Sequence, residues 1–280
     1  MEKYVIKKVL NNNVIVARDR YNRYYLLIGN GIGFKQKANE FFAAEQKSIQ
    51  KFEIQNQGNI SALNECLKSK DRNVVAIIEE EITSVQKQIP EVLNENIHIT
   101  LIDHITFALD RSRKGLDFSN PFNQELSILY PDDYQFAKKM VERINQECQA
   151  ALVEDEVGII AIHIHAARTN EMLRVAKKKI NMCQDTIERL YDALNLHPAK
   201  DSPAHQRLLL HIRYAYERVF SDRTLGDHIL YAVKEEYPLE FKIIRSLMDD
   251  LEQKYAITIP DSEIGYIMLH VNRIRNENNL

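Results

Sequence analysis

A shift of 107 residues lays one part of this chain over another and fixes what it can fold into. Under it Asp103-His104-Ile105-Thr106-Phe107-Ala108 falls on Leu210-His211-Ile212-Arg213-Tyr214-Ala215, and Tyr130-Pro131 falls on Tyr237-Pro238. The segment from Glu156 to His163 falls on the segment from Glu263 to His270, while Arg111 and Arg168 meet Arg218 and Arg275. Chance seldom keeps one offset through so many uncommon residues, so residues 104–168 and 211–275 read as copies of one domain. Each copy holds two histidines 59 residues apart, His104 with His163 and His211 with His270.

The copies read as helical. The chain has 8 Gly and 7 Pro in 280 residues, 45% hydrophobic content, and long stretches rich in Leu, Ile, Glu and Lys, a balance that favours helix over sheet and supplies real cores. Apolar residues recur near the helical period in Val74–Val85, Ala137–Ile144 and Ile187–Leu194. Gly115–Pro121 breaks the first copy, Leu196–Pro203 is a loop in the second, and a boundary falls near Thr169–Glu171.

The first 55 residues obey a different rule. Tyr4–Leu10, Val14–Ala17 and Tyr24–Ile28 are β-rich, Asn11-Asn12-Asn13 is a turn, Gly29-Asn30-Gly31-Ile32-Gly33 is a glycine-rich loop, and Ser48–Ile54 suits a fourth strand. Ten Lys/Arg against five Asp/Glu make this head +5, whereas the remainder, with 27 basic and 35 acidic residues, is −8. A polyanion is therefore expected at the head. So small a sheet has a marginal core, for which dimerisation is the expected remedy. The organisation is α+β: a small antiparallel sheet domain at 1–55, a polar linker at 56–63, and helical-bundle domains at 64–170 and 171–280.

No apolar run is long enough to cross a bilayer, and the amino terminus lacks a secretory apolar region, so a cytoplasmic protein is expected. Cys66, Cys148 and Cys183 are far apart and without CxxC spacing, which suits reduced, buried thiols.

A histidine inside an apolar helical stretch is more often a hydrogen-bonded core residue than a reactive one; four in a repeated pairing argue for more. Packing of the two helices of a copy would bring His104 to His163 and His211 to His270. Metal binding is one possibility, with Glu156 and Glu263 seven residues before a histidine, but no HxxxH or HExxH element is present and two histidines are too few ligands. His163 and His165, two apart, suit a strand better than one helical face, and Asn272 stands opposite His165 in the second copy. Phosphorylation is the other possibility. Neutral imidazole is nucleophilic near pH 7 and accepts a phosphoryl group from another phosphohistidine; the added dianion repels carboxylates and recruits Arg111, Arg218, Arg168 or Arg275.

With these pieces assembled, the chain resembles the transcriptional antiterminators of the BglG/SacY family, most nearly their GlcT-like branch concerned with glucose-transporter operons. The resemblance covers essentially the whole chain. It rests on Lys7-Lys8-Val9-Leu10-Asn11-Asn12-Asn13-Val14, Gly29–Phe34, Asp103–Ala108, Asn120-Pro121-Phe122, Tyr130–Tyr134, Glu156–His165 and Glu263–His270. It implies an RNA-binding head that grips a hairpin in a messenger leader as a symmetric homodimer, preventing formation of a terminator, followed by two phosphotransferase-system (PTS) regulation domains. Lys8, Asn11, Asn13, Gly29, Asn30, Gly31 and Phe34 map to RNA-contact positions; Asn30 stands where relatives often carry a basic residue. His104, His163, His211 and His270 map to phosphorylation positions, with His104 the inhibitory site modified by a sugar-specific enzyme II component and His211 with His270 under control of the phosphocarrier HPr. No cofactor, metal or catalytic residue is expected. The rivals are a DNA-binding activator with the same regulatory domains, which needs a helix-turn-helix head that a strand-rich segment does not provide, and a histidine phosphotransferase, for which no nucleotide-binding loop is present.

Overall fold

The computed structural model of the chain describes residues 3–278 apart from 44–48, 56–57, 60, 62–64, 66–69, 117 and 224. The described part of the head is a sheet of β1 (Lys3–Val9), β2 (Val14–Asp19), β3 (Tyr24–Ile28), β4 (Phe41–Ala43) and β5 (Gln50–Ile54). The strand order is β4-β1-β2-β3-β5, and every pairing is antiparallel. Valine, isoleucine and tyrosine dominate these strands because branched and aromatic side chains fill a pleated surface. The register of β1 on β2 slips between Ile6 and Lys8, leaving an irregularity just before the asparagine turn. The edge strand β4 was not anticipated; three residues carry no periodic signal.

Alternation along β2 and β3 resolves into two buried faces. Ile15, Ala17, Tyr25 and Leu27 join Tyr4, Ile6 and Ile32 in one cluster, with Val9, Phe42 and Ile49 at its margin. Val14 and Val16, paired with Ile28 and Leu26, are buried as well, and α1 (Arg72–Gln88) packs across β2 and β3. On those strands this chain's own helix supplies cover for the sheet.

The helices following α1 are α2 (Asn96–Arg113), α3 (Asn123–Leu129), α4 (Pro131–Cys148), α5 (Asp155–Arg168) and α6 (Leu173–Leu194). Then come α7 (Pro203–Phe220), α8 (His228–Glu236), α9 (Pro238–Tyr255) and α10 (Asp261–Asn278). Their starts follow local chemistry. Asp71 caps α1 by accepting from the Asn73 N–H at 2.9 Å, and Ser202 caps α7, accepting from the His205 N–H at 3.2 Å, with Pro203 in its first turn. The repeat reaches the backbone: α4 exits at Gln149 and α9 exits at the equivalent Ala256, both at positive φ, 48° and 51°.

The chain forms two compact units, one of residues 1–120 and 132–173, the other of residues 121–131 and 174–280. In the first, α5 packs on α2 and α2 packs on α1. In the second, α10 packs on α7, α8 and α9, and α3 lies on α7. There Lys200 bonds Glu125 at 2.8 Å, and Arg213 donates to the Leu129 carbonyl while its guanidinium lies 4.7 Å from the Tyr130 ring centre. The copies agree in pattern, yet the short helix of the first is housed in the second unit. Of the expected linker at 56–63, Gly58, Asn59 and Ser61 are helical, and 56, 57, 60, 62 and 63 lie outside the described residues.

Candidate functional site

The turn between β1 and β2 and the loop after β3 are tied into one surface. Asn11 Oδ1 accepts from the backbone N–H of Asn13 at 2.7 Å and of Val14 at 2.9 Å, so the side chain itself makes the turn. Gly29 N–H donates to the Asn13 carbonyl at 2.9 Å, Gly33 N–H to the Asn12 carbonyl at 2.8 Å, and Gly31 N–H to Asn13 Oδ1 at 3.1 Å. Gly31 has a φ of 71°, and a Cβ on Gly33 would lie 2.1 Å from the Asn11 carbonyl oxygen, which no side chain tolerates. Asn11, Asn13, Gly29, Asn30 and Gly31 are therefore brought together. Phe34 is 58% exposed beyond them, with Lys35 Nζ 5.3 Å from its ring centre. Lys8 sits on β1 immediately past the irregularity, opposite Val16.

One neighbour of this loop went unforeseen. Glu80 of α1 accepts on Oε1 from the side-chain amides of both Asn11, at 3.2 Å, and Asn13, at 2.9 Å. Its Oε2 accepts from Arg143 of α4 at 2.6 Å, and Arg143 also bonds Glu81 and Glu147, each at 2.5 Å. Burial works against charge on Glu80, but donation from Asn13, Arg143 and Asn11 outweighs it and holds the carboxyl below the usual range.

In the first helical copy, α2 and α5 bring His104 and His163 to a ring-centre separation of 5.2 Å. Glu156, buried at the start of α5, joins them: its Oε2 lies 3.0 Å from His104 Nε2, and its Oε1 accepts from Arg111. The Arg111 guanidinium packs 4.3 Å from the Phe118 ring centre. Carboxylate, imidazole and guanidinium thus form a chain in which each charge has a partner.

The second copy repeats the parts and changes the wiring. His211 and His270, on α7 and α10, stand 4.9 Å apart, and the His211 ring stacks on Tyr266 at 5.5 Å. Arg218 takes both oxygens of the fully buried Glu263, at 2.6 Å each, so His211 Nε2 is left 3.9 Å from that carboxylate, beyond hydrogen-bond reach. Burial, with His270 and Arg218 nearby, drives the His211 pKa down to about 4; His270 is lowered too, by burial and then by Arg273 and Arg207. Both rings are neutral near pH 7. Between an unfolded value near 6.5 and a folded value near 4, the unfolded chain binds a proton that the folded one refuses, so stability falls as pH drops through this window. For His211 the full loss is about 3 kcal/mol, and His211→Asn is expected to flatten the pH dependence of urea unfolding between pH 6.5 and 4. An unchanged slope would show that His211 titrates normally.

Other expected participants are elsewhere. Arg168 binds Glu91 and Asp133 at 3.1 and 3.2 Å, and Arg275 binds Glu240 at 2.8 Å, so neither guanidinium is held at a histidine pair. His165 lies on the same helix as His163 rather than on a strand, with its Nδ1 2.9 Å from Asp133 Oδ2. Among the described residues no group of three or more His, Cys, Asp or Glu is placed to hold a metal ion. Cys148 and Cys183 are free; burial pushes the Cys183 thiol up to about 12 and raises Cys148 as well, while Cys66 lies outside the described residues. No described helix is long and apolar enough to cross a membrane.

The residues that sequence reasoning undervalued are the glutamates. Spacing offers Glu156 and Glu263 a role only as metal ligands, while their recurrence under the 107-residue shift is the signal that ties them to the histidine pairs. Nothing in the sequence marked Glu80.

Comparison with known proteins finds two kinds of domain in the chain. Residues 4–60 match the CAT RNA binding domain, and residues 79–167 and 171–274 each match the PRD domain. The chain is 33% identical over 277 residues to the PtsGHI operon antiterminator of Bacillus subtilis, covering 98% of both chains, and 32% identical to Protein GlcT of Staphylococcus saprophyticus, covering 97% of both. The crystal structure of GlcT CAT-PRDI superposes with a TM-score of 0.53 at 38% identity, over 60% of this chain and 99% of that one. With a strand-built CAT head, two PRD copies carrying paired histidines, and relatives aligned end to end, the chain belongs to the BglG/SacY family of transcriptional antiterminators.

Proposed function

We propose that this chain is a non-enzymatic, sugar-responsive antiterminator that binds a leader-mRNA hairpin as a homodimer, for a glucose-transporter operon; the PtsGHI operon antiterminator and Protein GlcT among its relatives support the reading. The observation that carries the reading is the shared surface of Asn11, Asn13, Gly29, Asn30 and Gly31 on a +5 head, in a chain whose helical copies each set a histidine pair beside a buried carboxylate and an arginine. Asparagine amides donate and accept at base edges and ribose hydroxyls, the bare backbone at Gly29 and Gly31 admits close approach, and exposed Phe34 offers a stacking plane. Lys8 supplies a cation for phosphate; Asn30 supplies none.

The control is electrostatic. With Nε2–H of His104 donated to Glu156, the Nδ1 lone pair is free to attack the phosphorus of a phosphohistidine donor. The new N–P bond forms at His104 as the donor's N–P bond breaks, and the electron pair returns to the donor imidazole. The dianion then lies beside the buried Glu156 and competes with it for Arg111, which biases the α2–α5 pair toward another packing. A sugar-specific enzyme II component is the donor for His104 in this scheme, and HPr for His211 and His270. Sugar uptake drains that phosphate. Dimerisation then joins two weak half-sites and raises their effective concentration without new RNA contacts.

Titration of the full-length chain against candidate leader hairpins tests the reading. Affinity is expected to fall roughly tenfold or more between 50 and 200 mM salt, as release of counterions from a few phosphates requires. Binding indifferent to salt, or absent from every leader hairpin of the PTS operons, would refute it. Specific binding to duplex promoter DNA would favour the DNA-binding rival, and turnover of a small-molecule phosphoryl acceptor would favour the enzyme.

A further inference from the structure

We propose that Glu80 is an internal competitor of the leader RNA, an autoinhibitory carboxylate that occupies the same Asn11 and Asn13 amides a hairpin needs. The inference rests on the reading of those asparagines as RNA contacts. One oxygen of Glu80 accepts from both amides at 3.2 and 2.9 Å, which are the donors that would otherwise serve acceptors on base edges or ribose. The amide oxygens offer RNA little in their place, since Asn11 Oδ1 and Asn13 Oδ1 are engaged by the head's own backbone N–H groups. Glu80 therefore takes one N–H donor from each of the two amides.

Three features make it more than a brace between head and helix. The carboxylate is an anion, so a phosphate backbone approaching the loop meets repulsion as well as occupied donors. Its second oxygen is clamped by Arg143, whose own position is fixed by Glu81 and Glu147, so the competitor is preorganised and does not need to be drawn out of solvent. The clamp is also peculiar to the first copy: Asp250 stands where the 107-residue shift places Arg143, reversing the charge. A cavity of about 410 Å³ opens on the same spot, lined by Asn13, Gly29, Asn30, Glu80, Lys87 and Arg143.

Glu80 and RNA compete for the same N–H donors on these amides, so each weakens the other by the same factor. Any event that withdraws α1 from the head favours the hairpin, and hairpin binding favours withdrawal. When Glu80 leaves, its charge stays paired with Arg143, which keeps the released state accessible.

The test measures hairpin affinity of the full-length, unphosphorylated chain beside Glu80→Ala, Asn11→Ala and the double variant. Glu80→Ala is expected to bind about tenfold more tightly, the factor that one net charge-assisted hydrogen bond represents, whereas Asn11→Ala and the double variant should bind poorly. Unchanged or weaker binding by Glu80→Ala, with Asn11→Ala still impaired, overturns the competitor while leaving the RNA contacts intact. Wild-type affinity in Asn11→Ala shows instead that the asparagine assignment is wrong, and the competitor falls with it. Should Glu80→Ala prove unfolded by circular dichroism, Arg143→Gln, which loosens the clamp and spares the fold's apolar contacts, must show a smaller gain in the same direction; no gain there is a refutation.

Discussion

Replacing His104 by alanine is expected to make antitermination independent of sugar, with a leader-fused reporter as active without glucose as the wild type is with it. Alanine cannot carry a phosphoryl group, so the dianion never forms beside Glu156. The structure also explains why the protein should survive the change. His104 is partly exposed, and its removal leaves Glu156 with Arg111, so the folding cost is on the order of 1 kcal/mol, one net hydrogen bond. A reporter that stays off without sugar, in a variant with wild-type thermal stability, would remove His104 from the inhibitory role.

The largest effect on stability belongs to the other copy. Arg218→Ala leaves the fully buried Glu263 with no close cation, because His211 stands 3.9 Å away and neutral. Stripping one partner from a buried ion pair costs about 3–5 kcal/mol, which for a domain of this size lowers the melting temperature by roughly 10–20 °C. Arg111→Ala removes the equivalent cation from Glu156 but leaves His104 bonded to it at 3.0 Å, so its loss should be clearly smaller. Calorimetry of the two variants separates the cases; equal losses would mean that the histidine bond in the first copy contributes nothing to holding its carboxylate.

These two variants also show what the sequence disclosed. The repeat was legible because Arg111 and Arg218, Glu156 and Glu263, and the histidine pairs recur at one offset, and the structure does bring each histidine to its partner. The difference in wiring was not legible. A single orientation of Arg218, taking both oxygens where Arg111 takes one, decides whether the histidine is bonded, and orientation leaves no mark in residue order. The β-rich head was readable from its branched and aromatic runs, but β4 was too short and too near the glycine loop to register. Periodicity misplaced His165 on a strand because alternation of two residues was weighed against a single helical face; α5 is buried on most of its circumference, so His163 and His165 point to different partners on one helix. Glu80 was hidden for another reason. It is one of three consecutive glutamates with nothing in residue order to set it apart, and only tertiary packing against the asparagine turn gives it a role.

In the proposed scheme a charge placed on the partly exposed His104 imidazole is felt at an RNA-binding loop. The direct measurement is hairpin affinity of one full-length preparation before and after phosphoryl transfer from the enzyme II component, with phosphohistidine quantified by mass spectrometry under acid-sparing conditions. A phosphoramidate at His104 that rises in step with loss of RNA binding, and reverses with it on dephosphorylation, is the predicted result. Stoichiometric phosphorylation of His104 with hairpin affinity unmoved would contradict it.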